Sequence, residues 1–502
     1  MIGKRHGLIV LVFFIVIMGK VSGLFKDLMF TYYYGVSDIT DGYFLANSMS
    51  SLVYIALYAT VPVLVVPLYS RLLTQGNQKV TDSSLTVSIF FLCFVSAVLA
   101  VVVGFFSDYL IEVITGGASE QVKALASDYL RIMAATFVLS TAVGFFNALQ
   151  TVRKLSLPSY IVPLVNNMVF CSGLVLFSPE EGLSKVLWLG VGGWGLLLVS
   201  NILLSKGYFS LSTSGAWRRL KEISLLVLVM PALLAFFIEQ VNGFVGVYFA
   251  SSLEAGAISV LGYAGKLNLI FISIFLVFLT AKLFPRIAAL ATIESGRELG
   301  AYLSRCVRII VLVSLPVISY MIFYSQSIVG LLFKRGKFLE EDVSQVSSLL
   351  SILLIAVPLG LIRDLMNRFF FARGRNGTPM LLSLFALIVN FIISFYIHAD
   401  FGLKGLATAM VVSTLICCGA SIHLVARDIG VRLMKNNFWA LLVAAVSLLV
   451  SFLLLMLLDN TLSTYWIVLF FPFSCCYIAV LYIFQVEECV NAVNWIKRRC
   501  VL

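Results

Sequence analysis

The sequence predicts an all-α polytopic membrane protein of about fourteen transmembrane helices, and three observations support this prediction. Of the 502 residues, 61% are hydrophobic and 12% are charged, with a mean hydropathy of +1.04, whereas soluble domains carry about 25% charged residues. The apolar residues gather in runs close to the roughly 20 residues that cross a bilayer as a helix. Lysines and arginines are concentrated in every second connecting loop, as expected for helices that cross a membrane repeatedly.

The apolar runs define the individual spans. They fall at 8–34, 43–70, 84–106, 127–151, 157–178, 184–205, 223–250, 256–283, 307–333, 343–372, 378–398, 402–425, 437–458 and 464–486. Several of them exceed 25 residues, which favours tilted or broken helices. Because no small-residue cleavage site follows the first run, we interpret it as an uncleaved span rather than a signal peptide.

The loop charges predict the orientation. With a cytoplasmic N-terminus, most loop lysines and arginines lie on the cytoplasmic side, and the opposite loops carry acidic residues such as Asp38 and Asp41. The positive-inside rule therefore predicts that both termini are cytoplasmic, in the inner (cytoplasmic) membrane of a bacterial cell. The formal net charge of +11 is then mainly a topology signal, and no nucleic-acid partner is expected.

Metal and cofactor chemistry is not expected from this sequence. Its three histidines and nine cysteines show no metal-ligand spacing. The adjacent pairs Cys417-Cys418 and Cys475-Cys476 lie in apolar runs, where free thiols behave as small hydrophobic groups.

Short similarities predict that the chain repeats itself. Gly42-Tyr43 recurs as Gly262-Tyr263 after 220 residues, and Val165-Asn166 recurs as Val389-Asn390 after 224. A duplication would give two six-helix lobes with the same topology, as in transporters with parallel repeats. The predicted organisation is an N-terminal lobe at 1–205, a C-terminal lobe at 206–426, and a helix pair with a cytoplasmic tail at 427–502. Chance similarity between apolar segments is the competing explanation.

Charged residues inside the spans are the candidates for function, because each costs several kcal/mol unless it faces water or a partner. Lys20, Lys26 and Asp27 lie in span 1, Glu239 in span 7 and Lys266 in span 8. If the two lobes face each other, the three lysines would line one central cavity, and a cationic cavity implies an anionic substrate. The alternative is internal ion pairing, of Lys26 near Asp27 or of Lys266 with Glu239.

Polar residues at a compatible depth would add hydrogen bonds for a sugar-like group. The candidates include Asn47, Gln240 and Asn242. For each of these side chains, hydrogen bonding between helices is an equally good explanation.

At these residues the sequence resembles the lipid II flippase family (MurJ, also called MviN) of the multidrug/oligosaccharidyl-lipid/polysaccharide exporter superfamily. The segment 19–27 is similar to the family pattern S-R-x-x-G-x-x-R-D, and Tyr263-Ala264-Gly265-Lys266-Leu267 is similar to Y-A-D-R-L. The most specific stretch runs from Leu332-Phe333-Lys334-Arg335-Gly336-Lys337-Phe338 to Thr378-Pro379. The resemblance covers most of spans 1–12.

The resemblance implies a V-shaped transporter of two lobes that moves a lipid-linked glycan. The substrate would be an undecaprenyl-diphosphate-linked glycan, either lipid II or a related lipid-linked oligosaccharide, moved from the cytoplasmic to the outer leaflet by alternating access. Lys20, Lys26 and Lys266 would be the cations for its head group, and spans 13 and 14 would form a groove for its polyprenyl tail. Membrane lipid and proteins of glycan synthesis are the other partners expected.

The sequence also departs from the family pattern. Lysines stand where the family has arginines, and lysine lacks the bidentate fork that suits phosphate. Gly265 replaces an acid, and Tyr54 replaces a cavity arginine of span 2. These departures weaken the prediction of lipid II as the substrate and favour another undecaprenyl-diphosphate-linked glycan.

Three other functions stay open. A cation-coupled small-molecule or drug exporter of the same superfamily would favour acidic cavity residues, whereas the excess here is basic. A membrane-embedded glycosyltransferase would need paired carboxylates, for which Asp38 and Asp41 are the nearest candidates. A non-transporting membrane scaffold is compatible with the missing span 2 arginine.

Overall fold

The chain is described by a computed structural model that covers residues 2–74, 76, 78–115, 117–155, 157–177, 179, 182–212, 224–291, 296–375, 377–430, 437–462 and 465–500. Over these residues the regular secondary structure is helical throughout. The all-α prediction is therefore confirmed.

The helices follow one another with short connections. The first nine are α1 Ile2–Tyr34, α2 Asp38–Thr74, α3 Gln78–Phe105, α4 Ser107–Ile114, α5 Glu120–Ala134, α6 Thr136–Val152, α7 Leu157–Leu176, α8 Leu183–Ser205 and α9 Ser224–Ala250. The others are α10 Ala257–Lys282, α11 Phe284–Ala291, α12 Gly296–Phe323, α13 Ser325–Phe333, α14 Glu340–Ala372, α15 Gly377–Ile429, α16 Phe438–Leu462, α17 Trp466–Ile483 and α18 Glu487–Cys500.

Each predicted span falls mainly on helical residues within the described part of the chain, although positions 178, 223 and 464 lie outside it. Some helix boundaries differ from the prediction. Span 4 is divided into α5 and α6 at Ala135. Spans 11 and 12 share α15, which breaks at Gly402, where φ is 52° and ψ is −138°. Among the described residues, eleven helical segments are long and apolar enough to cross a membrane. The chain is thus a multi-pass membrane protein, and the count of fourteen stays a prediction.

By compactness the chain divides into two units. Unit 1 comprises Met1–Gly262, Gly330–Gln345 and Asn390–Leu406. In it α1 packs along α7, and α2 packs against α5, α6 and α9. Unit 2 comprises Tyr263–Val329, Val346–Val389 and Ala407–Leu502, with α16 packed along α17 and against α12. The predicted division at 205 and 426 stays a prediction.

A glycine contact joins the end of α1 to the loop after α13 in unit 1. The backbone N–H of Lys337 donates to the carbonyl of Tyr32 at 3.1 Å. Gly336 has φ of 61°, and a Cβ there would lie 2.3 Å from the Tyr32 oxygen. The close approach therefore requires glycine both for its backbone angle and for its lack of a side chain.

We expect Gly336→Ala to lower the free energy of unfolding by about 2–3 kcal/mol, because it combines left-handed strain with overpacking. Gly374→Ala is the matched control, since Gly374 has φ of 70° but open space around its Cβ position. Left-handed strain alone costs about 1–2 kcal/mol. Melting in detergent measures both variants, and equal losses would contradict the close contact.

The last helix, α18, is tied to α12 within unit 2. The Arg308 guanidinium donates to Glu488 at 2.8 Å and to the Asn437 side-chain oxygen at 3.1 Å. The Glu488 side chain is only 9% exposed, and Val486 packs in an apolar cluster with α12, α16 and α17 residues. One arginine therefore joins α12, α18 and the residue before α16.

Arg308→Ala should release α18 from this position, because it leaves a nearly buried carboxylate without its charged hydrogen bond, at about 1–3 kcal/mol. Limited proteolysis of the purified protein should then cut within 487–500 faster. Arg305→Ala provides the control, since Arg305 lies one turn earlier on α12 and is exposed. A cleavage rate that Arg308→Ala leaves unchanged would show that apolar packing alone holds α18.

Candidate functional site

Two of the predicted cations lie well inside α1. Lys20 and Lys26 precede the end of α1 at Tyr34 by 14 and 8 residues, which places them about 21 and 12 Å from that end. Set against a bilayer core of about 30 Å, the predicted span 8–34 would hold both cations inside the membrane, and this depth stays a prediction. Lys20 is exposed and Lys26 is half-buried. At the predicted depth each cation would need water or an anionic partner.

The surroundings of Lys26 combine a carboxylate with an aromatic ring. Its Nζ lies 4.0 Å from Asp27 Oδ1 and 5.6 Å from the centre of the Phe170 ring. The Asp27 side chain is 12% exposed and that of Lys26 is 24% exposed. The ion pair foreseen for Lys26 is therefore present, but at the outer limit of such contacts. Because Lys26 keeps a quarter of its surface open, it can still meet an anion.

Small residues of α1 bring α7 close to these cations. Gly19 faces Pro163 and Gly23 faces Asn167, a one-turn spacing of glycines that permits close helix packing in membranes. Asn167 Nδ2 donates to the Ser22 hydroxyl at 3.1 Å and approaches the Gly19 carbonyl at 3.4 Å. Asn167 thus serves to fix α7 against α1.

The α2 candidates occupy different surroundings. Asn47 is exposed, whereas Tyr54 is half-buried. Tyr54 stacks on Tyr58 with ring centres 5.8 Å apart and contacts Trp194 edge-on at 5.8 Å. The residue that stands in place of the family's arginine therefore packs into an aromatic cluster of α2 and α8. The contacts of Tyr54 in the structure are packing contacts with these rings. Its contact with the substrate stays a prediction.

The α9 candidates lie within 239–242. Glu239 is exposed, and Gln240 and Asn242 are half-buried. Asn390 Nδ2, on α15, donates to Asn242 Oδ1, on α9, at 3.0 Å. Asn242 therefore makes a hydrogen bond between helices, which the sequence analysis gave as the alternative to binding a sugar. This bond matches the Asn167–Ser22 bond at an offset of 220 residues on one side and 223 on the other. The correspondence pairs Asn390 with Asn167 rather than with Asn166, one residue away from the register of the predicted repeat, and the duplication stays a prediction.

Lys266 is half-buried on α10, in unit 2. The other predicted site residues, Lys20, Lys26, Asp27, Asn47, Tyr54, Glu239, Gln240 and Asn242, all belong to unit 1. The prediction that the three lysines line one cavity stays a prediction. Within the described part of the chain, no cluster of three or more histidine, cysteine or acidic residues is placed to hold a metal ion.

Asp41 has a role that the sequence did not predict. It is 3% exposed, and its two carboxylate oxygens each accept a backbone N–H at 2.7 Å, from Gly256 and from Ser259. The Ser259 hydroxyl also donates to it. Asp41, near the start of α2, therefore caps the N-terminus of α10, where unpaired N–H groups and the helix dipole favour a negative charge. Its carboxylate is occupied in this way rather than paired with Asp38 for catalysis.

The comparison with known proteins decides the family. The profile of the family described as lipid II flippase MurJ matches residues 30–477, which is most of the chain. The chain belongs to the lipid II flippase MurJ family. By family it is a membrane transporter and not an enzyme.

Individual proteins of this family are similar along most of their length. A probable lipid II flippase MurJ of Aquifex aeolicus is 24% identical over 76% of this chain and 77% of its own length. One from Buchnera aphidicola of Acyrthosiphon pisum is 24% identical over 89% of both chains.

Solved structures give the same fold. A lipid II flippase MurJ in an inward closed conformation superposes with a TM-score of 0.79 at 19% identity, covering 95% of this chain and 99% of that one. An inward-facing multidrug resistance MATE family transporter of the MOP superfamily reaches a TM-score of 0.71 at 14% identity, covering 84% of this chain and 96% of that one. These likenesses show the fold, whereas the family assignment follows from the sequence match.

Proposed function

We propose that this protein moves an undecaprenyl-diphosphate-linked glycan, lipid II or a related lipid-linked oligosaccharide, from the cytoplasmic to the outer leaflet. The observation that carries the proposal is the pair of open cations, Lys20 and Lys26, held on α1 about 12–21 Å from its end. A chain that folds with charged groups at this depth bears a cost that an anionic cargo offsets. Membership of the MurJ family supports the same substrate class.

The physical problem that such a protein solves is the transfer of a sugar-diphosphate through hydrocarbon. An isolated charge costs tens of kcal/mol in a medium of low dielectric constant, whereas a polyprenyl tail dissolves in lipid. The proposed mechanism is alternating access, in which the head group enters from the cytoplasmic side between two lobes while the tail stays in the bilayer. Lys20, Lys26 and Lys266 replace the water around the diphosphate.

The membrane potential would favour this direction of transport. Moving one negative charge out of an inside-negative cell gains about 2.3 kcal/mol per 100 mV. The proposal therefore places the protein in the bacterial inner membrane with both termini cytoplasmic, as the loop charges predict. Coupling to an ion is the alternative energy source, through Glu239 on α9 or through Asp364, an acidic residue within α14.

Reconstitution into vesicles tests the function. Fluorescent lipid II and a second undecaprenyl-diphosphate glycan that lacks the peptide are supplied separately, and their appearance in the opposite leaflet is timed with and without a potential. We expect protein-dependent flipping of at least one of them, faster with the outside positive. Flipping of neither, in vesicles where a known family member flips lipid II, would leave an exporter or a scaffold as the function.

A further inference from the structure

A groove of about 490 Å³ lies in unit 1 between α3, α6, α8 and the segment 206–212 that follows α8. This volume is within the range of about 300–1,000 Å³ found for small-molecule sites. Most of its wall is apolar, with Ile89 and Phe90 from α3, Phe146 from α6 and Ile202 from α8. Its polar residues, Ser205, Lys206 and Ser210, gather where α8 ends. The groove is therefore apolar along its length and polar at one end.

The groove is preformed because the segment 206–212 is fixed in place. Phe209 is 8% exposed and packs edge-on against Phe145 and Phe146. The Ser210 hydroxyl donates to Asp82 at 2.9 Å, and the backbone N–H of Ser212 donates to the Thr86 hydroxyl at 3.0 Å. These contacts hold one wall of the groove against α3 without any ligand.

The surface around the groove suits hydrocarbon. Beside it, α3 exposes Phe94 and Val98, and α8 exposes Val199 and Leu203, each by 45–67%. Exposed apolar surface of this extent on a multi-pass protein marks the face that meets lipid. The occupant with ready access to the groove is therefore a membrane lipid.

The charge at the polar end selects the kind of lipid. Lys206 is exposed at the C-terminus of α8. Tyr208 follows Lys206 by two residues, and the Arg153 guanidinium lies 5.7 Å from the centre of its ring. Lys154 adds a third exposed cation at the end of α6. In the predicted topology this is the cytoplasmic side, where basic pockets between transmembrane helices bind anionic head groups.

We propose that this groove is a binding site for one anionic glycerophospholipid of the cytoplasmic leaflet. One acyl chain lies between α3, α6 and α8, and the phosphate lies beside Lys206. The site is separate from the residues assigned to the transported glycan, since it uses none of Lys20, Lys26 and Lys266. The lipid would remain bound in this groove as a structural component of unit 1 and would not be transported.

Native mass spectrometry of the purified full-length protein tests the site, with dioleoyl-phosphatidylglycerol and dioleoyl-phosphatidylcholine as probes. The wild type should bind a first phosphatidylglycerol more tightly than phosphatidylcholine. Lys206→Ala should remove this preference, weakening phosphatidylglycerol about five- to tenfold. Ile202→Trp, which fills the groove, should weaken both lipids by a similar factor, and Ala142→Leu serves the same purpose if that variant does not fold.

Two neighbouring residues provide matched controls. Leu203→Trp adds the same ring to the exposed surface of α8 one residue away, and Lys79→Ala removes an exposed cation that does not line the groove. Both should bind phosphatidylglycerol as the wild type does. Unchanged binding in Lys206→Ala and Ile202→Trp, or equal losses in the controls, would overturn the site. Undecaprenyl phosphate is the last probe. If it displaces bound phosphatidylglycerol at concentrations lower than those at which phosphatidylglycerol itself binds, the groove would belong to the substrate tail, and the proposal of a resident phospholipid would be overturned.

Discussion

Replacing Lys20 and Lys266 together by alanine should abolish transport of the lipid-linked glycan. A hydrogen bond between a charged donor and a phosphate oxygen contributes about 1.5–3 kcal/mol. If the two contributions add, the loss of two such bonds amounts to about 3–6 kcal/mol, or roughly 10²–10⁴ in affinity for the diphosphate. The measurement is the rate at which fluorescent lipid II reaches the opposite leaflet of reconstituted vesicles.

The controls separate charge from a general defect. Lys20→Arg with Lys266→Arg keeps both charges and adds the planar fork that suits phosphate, so transport should be equal to or faster than that of the wild type. Lys123→Ala removes a lysine that pairs with Glu120 at 2.9 Å on the same helix, a surface contact worth little, and should have no effect. Undiminished flipping in the double alanine variant would end the proposal of a cationic cavity.

Asp41→Ala should be the most destabilising single substitution at the predicted outer ends of the helices. It leaves the backbone N–H groups of Gly256 and Ser259 without their acceptor in a buried position, whereas the Ser259 hydroxyl keeps the Thr40 hydroxyl as an acceptor. Because a buried donor without an acceptor costs about 1–3 kcal/mol, we expect a loss of about 3–5 kcal/mol in the free energy of unfolding. Melting of the purified protein in detergent measures it.

Asp38→Ala is the control for this prediction. Asp38 also lies in the first turn of α2, and its removal should cost only the dipole contribution of about 0.3–1 kcal/mol. Amide hydrogen exchange gives an independent readout, since Gly256 and Ser259 should exchange faster in Asp41→Ala and not in Asp38→Ala. Equal melting of the two variants would contradict the capping role of Asp41.

The helices of this protein could be predicted from sequence because each one must satisfy its backbone within the bilayer by itself. Apolar length therefore placed each predicted span mainly on helical residues, within the described part of the chain. The interruption at Ala135 carried no such signal, since neither Ala135 nor its neighbours Ala134 and Thr136 are helix breakers. Whether a long apolar run bends at such a point depends on packing against other helices, which composition does not record.

The candidate site was predictable in its charges but not in its partners. Lys20 and Lys26 could be found because a cation within an apolar run is rare and costly. The partners of Asp41 lie 215 and 218 residues further along the chain, and the capped groups are backbone amides, which any sequence would supply. Tyr54 illustrates the same limit, because its contact with Trp194 follows from how α2 and α8 meet.

The asparagine bonds at Ser22 and Asn242 restrict how unit 1 can move. If α7 slid along α1 by one helical turn, about 5.4 Å, the Asn167 amide would lose Ser22 and face hydrocarbon instead. In each helix pair the contacts of one asparagine side chain thus fix the register of the two helices. Shear within these pairs is disfavoured, so any large motion must be a tilt of intact pairs about their connecting loops.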